Sequence, residues 1–136
     1  MRQLLNNMKN FDNWNKIKKE IDFCNKNILP AKRQVWWLSV GLNIGVEEDG
    51  KNENFERPVL VIKVFSRDCF LGIPITSSCK ENKIYYFPIR YNKNVYYLIL
   101  SQIRLFSVKR LSRKIFKISS EDFLKIKNEM RKVIGL

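Results

Sequence analysis

The chain has 136 residues, 45% of them hydrophobic and 12% aromatic, with 26 Lys and Arg against 13 Asp and Glu for a net charge of +13. That is enough apolar material for one domain with its own core, too little length for two, and it excludes a disordered chain. No stretch approaches the roughly 20 apolar residues that span a bilayer, and the N-terminus carries no apolar signal region, so a cytoplasmic protein without a membrane partner is expected.

Trp14, Ile17, Ile21, Cys24 and Ile28 recur at three- and four-residue steps with Lys, Glu and Asn between them. This spacing predicts an amphipathic helix over residues 12–28, capped at Asp12 and ended by Pro30. Its apolar stripe needs cover, so residues 1–34 are expected to form an extension packed on the main domain. The alternative is that the helix covers a functional groove and restrains it.

From Val35 the period changes. "VWWLSVGL", "RPVLVIKVF", "CFLGIPIT", "KIYYFPIRY" and "VYYLIL" are short runs rich in β-branched and aromatic residues between turn formers. Strands this short and closely spaced predict a small barrel or sandwich. A last helix follows "SSED", with Phe123, Ile126, Met130 and Val133 on one face, Glu121 and Asp122 at its start and Arg131 and Lys132 at its end, as the helix dipole favours. The fold class is therefore mainly β with flanking helices, and residues 35–136 form the body of the single globular unit.

The connection from Asn43 to Phe55 is far longer than the roughly 2 to 5 residues of a usual hairpin loop. It holds "GVEEDG", with Gly45 and Gly50 framing Glu47, Glu48 and Asp49, and it ends at Arg57 beside Pro58. Proline presses the residue before it toward extended geometry, so the direction in which Arg57 leaves the backbone is constrained. A guanidinium held this way suits the charge on a phosphate or an oxyanion. Equally, it is a surface arginine paired with Glu47 or Glu56.

Two further segments carry polar chemistry. "GIPITSS" ends in Thr76, Ser77 and Ser78, whose hydroxyls and backbone N–H groups can hold a phosphate at a sheet edge or simply make a polar turn. "LSQIRLFSVKRLSRKI" sets Arg104, Lys109, Arg110, Arg113 and Lys114 among apolar residues, either a strip that tracks a nucleic-acid backbone or a solvated basic face. The net charge agrees with an anionic partner, and is discounted by the joint excess of Asn, Ile and Lys that AT-rich genomes produce. Cys24, Cys69 and Cys79 form no C-x-x-C pair and histidine is absent, which points to reduced core thiols and to no metal or other cofactor.

Taken together, these segments resemble the MazF/PemK-type endoribonuclease toxins of bacterial type II toxin–antitoxin systems. The shared order is W-W-x-x-x-G at Trp36 to Gly41, G-x-E-x-x-G at Gly45 to Gly50, R-P-V-L-V at Arg57 to Val61, P-aliphatic-T-S at Pro74 to Ser77, Q-I-R at Gln102 to Arg104 and K-R-L at Lys109 to Leu111. The resemblance covers residues 35–136. It implies a half-open SH3-like barrel, a homodimer, metal-independent cleavage of single-stranded RNA, and an antitoxin partner with an acidic disordered tail. It also implies catalytic roles for Arg57, Thr76 and Glu47, with Ser77, Ser78, Gln102, Arg104, Lys109 and Arg110 as substrate contacts. Some members carry a histidine before that glutamate and an acidic residue before Q-I-R, where this chain has Val46 and Ser101. The alternative keeps the barrel without catalysis, as a CcdB-like gyrase-binding toxin or a nucleic-acid-binding module.

Overall fold

A computed structural model describes residues 8–79 and 83–136. In chain order the elements are α1 (Phe11–Phe23), β1 (Gln34–Ser39), β2 (Glu56–Val64), β3 (Cys69–Thr76), β4 (Tyr86–Tyr91), β5 (Asn94–Ile99), β6 (Arg104–Ser107), β7 (Leu111–Lys117) and α2 (Ser120–Ile134). The strands form one sheet in the order β4-β5-β3-β2-β1-β7, with β6 also on β3. Every pairing is antiparallel.

β3 rolls the sheet into a half-open barrel, because its first half (Cys69–Gly72) pairs with β6 and its last two residues (Ile75, Thr76) pair with β5. Register shifts in β1–β7 and β2–β3 add the local twist that a bulge brings. The apolar run of β2 is buried on both faces. Val59 and Val61 join Leu38, Phe70, Phe106 and Leu111 in one cluster, whereas Leu60 joins Val35, Ile73, Leu98 and the α2 residues Phe123, Ile126 and Met130 in another. Burying side chains of this size contributes roughly 1.5 to 3 kcal/mol each. The mainly β architecture with a helix at either end is thus as the sequence predicts.

α2 forms as expected, with Ser119 accepting from the Asp122 N–H at its start and Gly135 in the left-handed conformation at its end. α1 differs from its prediction. Its cap is Asn10, not Asp12, and the helix stops at Phe23, with Cys24 extended and exposed. Asn25 and Asn27 are poor helix formers, and Lys26 donates to the Leu111 carbonyl at 2.6 Å, tying the irregular stretch 24–30 to the barrel. Of the predicted stripe, Trp14 is the buried member, while Ile17, Ile21 and Ile28 are half-buried. Cys24 is therefore not a core thiol.

The "LSQIRLFSVKRLSRKI" tract is also corrected. Instead of a strip following the last strand, it folds as β6 and β7 around two short turns of 3-10 helix, Leu100–Gln102 and Val108–Arg110. Phe106, Val108 and Leu111 are buried by it.

Candidate functional site

Strand β2 opposes Arg57 to Leu38 of β1, and so brings it up at the base of the 43–55 loop. The base is stitched by backbone bonds: Gly41 N–H donates to Phe55 at 3.0 Å, Gly50 N–H to Gly41 at 2.7 Å, and Lys51 and Glu56 bridge in antiparallel fashion. Gly50 fits only because it lacks a side chain, since a Cβ there would collide with the Phe55 carbonyl.

Arg57 is buried, with 8% of its side chain exposed. Its Nε donates to the Asp49 carbonyl at 2.6 Å and Nη1 to the Ile75 carbonyl at 3.2 Å, while Nη2 lies 2.7 Å from the Glu48 carboxylate. The partner among the loop acids is therefore Glu48. Glu56 is instead near Arg113, at 3.6 Å, and accepts from Asn52. Glu47 is exposed, and its carboxylate accepts from the Ile44 N–H at 3.0 Å, building its own turn. Five N–H groups belong to a guanidinium, so two lie outside these three contacts.

The bond to Ile75 places Arg57 next to Thr76, the last residue of β3. Arg57, Pro58, Thr76, Ser77, Lys51 and Tyr96 line one hollow of about 170 Å³. Thr76 Oγ1 accepts from the Ser78 N–H at 3.3 Å, which makes the turn after β3, and Ser77 and Ser78 are exposed. A second hollow of about 440 Å³ is lined by Asn43, Glu47, Glu48, Gln102 and Arg104. The Glu48–Arg57 ion pair joins the two.

Gln102 is a loop anchor: its Oε1 accepts from Glu48 N–H at 2.7 Å and its Nε2 donates to the Val46 carbonyl at 2.8 Å. Arg104 is exposed, with its guanidinium 4.7 Å from the Phe106 ring centroid. Lys109 and Arg110 are not brought to these hollows and serve α1. Lys109 Nζ donates to the Asp22 carbonyl at 2.7 Å, and Arg110 donates to Ser39 and Val40 carbonyls beneath Trp14. Burial, and after it the nearby Arg104 charge, lower the Arg110 pKa.

Sequence reasoning missed three residues here. Glu48 is adjacent to Glu47, and nothing in the spacing says which of the two turns inward. Asp49 contributes a carbonyl, which no side-chain pattern reports. Tyr86 of β4 has its phenol pKa raised by burial, then by the negative charge of Glu48 and by Cys79. A buried guanidinium, an acid and a hydroxyl turn at one sheet end can bind an anion and move a proton.

The model of the PemK-like, MazF-like toxin of type II toxin–antitoxin systems matches residues 31–134. No curated protein matches the chain by sequence. Among solved structures, MazF from Deinococcus radiodurans superposes with a TM-score of 0.64 at 14% identity, over 80% of this chain and 99% of that one. An endoribonuclease in complex with its cognate antitoxin, from a mycobacterial species, gives 0.61 at 13% identity, over 79% and 97%. The Mycobacterium tuberculosis toxin MazF-mt6 gives 0.59 at 13% identity, over 76% and 98%. At these identities the structures agree with the chain in fold.

Proposed function

The chain belongs to the PemK-like, MazF-like toxin family of type II toxin–antitoxin systems, and from that premise we propose that it is an endoribonuclease cutting single-stranded RNA, restrained by a cognate antitoxin. The observation that carries this reading is the buried Arg57, held beside Thr76 by the Ile75 carbonyl and paired with a loop carboxylate. A protein that only bound nucleic acid would have little use for a guanidinium sunk into the end of its sheet and set against an acid.

RNA carries its own nucleophile, the 2′-OH. Cleavage then needs that proton removed, the extra charge on phosphorus stabilised, and the departing 5′-oxygen protonated. In this reading the two remaining Arg57 donors stabilise the phosphorane, and Thr76, Ser77 and their backbone N–H groups hold a non-bridging oxygen. Glu48 takes the 2′-proton, because it is the acid in contact with Arg57, while Glu47, the family-motif glutamate, shapes the turn. In the same reading Tyr86, whose phenol feels the Glu48 charge, returns a proton to the departing 5′-oxygen. Arg104 is the basic residue beside the wider hollow for the RNA backbone, with Gln102 setting the loop. DNA lacks the nucleophile and is not a substrate.

The test is a long RNA incubated with the purified protein in excess EDTA, with the 5′ ends mapped. Fragments with 5′-hydroxyl ends are expected. Uncut RNA at micromolar protein would favour the non-catalytic barrel, and 5′-phosphate ends would replace the 2′-OH mechanism with a hydrolytic one.

A further inference from the structure

We infer that residues 8–30 form a brace for the arginine loop and that Lys9 is the positioning residue through which it acts. For its catalytic consequence the inference rests on the reading above. The segment lies outside the family match at residues 31–134.

Lys9 Nζ reaches three oxygens of the loop: the Asn43 carbonyl at 2.7 Å, the Gly45 carbonyl at 3.3 Å and the Asp49 carboxylate at 2.8 Å. An ammonium has three donors, so each has an acceptor. The other Asp49 oxygen accepts from the Asn43 N–H at 2.6 Å, and the Asp49 carbonyl accepts from Arg57 Nε at 2.6 Å. One residue thus separates the Lys9 ammonium from the Arg57 guanidinium. An isolated surface ion pair is worth little, but Lys9 and Asp49 are 28% and 27% exposed and share the loop backbone between them.

The brace is itself anchored. Trp14 is buried in a slot at Gly41, whose φ of +85° and lack of a side chain are both required, because a Cβ there would collide with the indole. The same indole meets the Phe55 ring edge-on at 5.6 Å, so the extension touches both ends of the loop. Neither hollow at Arg57 and Glu48 is lined by α1. The helix is therefore not a cover over either hollow, and Lys9 lines neither of them.

The test compares the full-length protein with Lys9→Met and Lys9→Arg by two readouts, RNA cleavage kinetics and hydrogen exchange of the Arg57 Nε–H by NMR. In Lys9→Met, the Arg57 Nε–H loses protection and kcat falls by about tenfold or more with KM within about twofold, since displacing a catalytic group by about 1 Å can cost about a hundredfold. Lys9→Arg restores both. If wild type cuts no RNA while Lys9→Met still exposes the Arg57 Nε–H, the brace stands and the nuclease reading fails. An Arg57 Nε–H as protected in Lys9→Met as in wild type overturns the brace, whatever the cleavage rate does.

Discussion

Arg57 and Glu48 hold each other in a setting where removing Arg57 leaves the half-buried Glu48 carboxylate without its cation. Breaking such a pair costs roughly 3 to 5 kcal/mol when it is fully buried, so Arg57→Ala should lose stability as well as cleavage. Loss of one preorganised stabiliser should slow cleavage by roughly 100- to 1000-fold. Adding Glu48→Gln to Arg57→Ala should recover stability in urea unfolding without recovering any cleavage, which separates the two effects. Activity of the single variant within a few-fold of wild type would remove Arg57 from the site. Arg57→Lys should also be poor, because an ammonium lacks the planar fork that holds Glu48, Asp49 and Ile75 and keeps donors to spare. Tyr86 gives a prediction in pH. Its folded pKa is raised, so below the unfolded value of about 10 both states keep the proton, and above it the unfolded state ionises first. Stability should fall as pH rises past about 10, and Tyr86→Phe should make that fall shallower. Identical thermal midpoints against pH for the two proteins would contradict it.

The elements were unequally legible. β2, β3 and α2 stand out because their apolar residues are consecutive or evenly phased, and the N-cap of α2, Ser119, lies directly before its acidic first turn. β6 and β7 were hidden because Arg104, Lys109, Arg110, Arg113 and Lys114 break their apolar residues into a tract that reads as a charged face, and the β1–β7 register is shifted twice. The coarse content of the site, a proline-set arginine near a hydroxyl turn, was visible in the order of short motifs. Its inner wiring was not, since the choice between Glu47 and Glu48 depends on a turn held by Gln102 from 54 residues away. The same limit applies to α1, where the sequence shows an apolar stripe but not the slot at Gly41. Gly41→Ala tests that slot. Overpacking of this kind costs roughly 1 to 3 kcal/mol, and the positive φ adds strain, so a lower urea midpoint and a more exposed Trp14 are expected. An unchanged midpoint would mean that α1 is held elsewhere.

At the scale of the whole molecule, +13 over 136 residues is a field as well as a set of contacts. A surface that draws RNA by its phosphates also attracts an acidic chain, and an acidic tail with a few apolar residues can fold onto it only if attraction outweighs the entropy lost on ordering. A cognate antitoxin of that character is therefore expected to compete with RNA. Charges at such a surface are screened over about 8 Å at physiological ionic strength and about 3 Å at 1 M. Affinity for the antitoxin and for a non-cleavable RNA analogue should thus both weaken with salt, whereas the stability of the barrel, which rests on two apolar clusters, should change little. Titrating both ligands across salt at fixed pH checks this. An antitoxin affinity that does not move with salt would place its docking on apolar contacts, and inhibition that persists without displacing RNA would put the antitoxin away from the Arg57 groove.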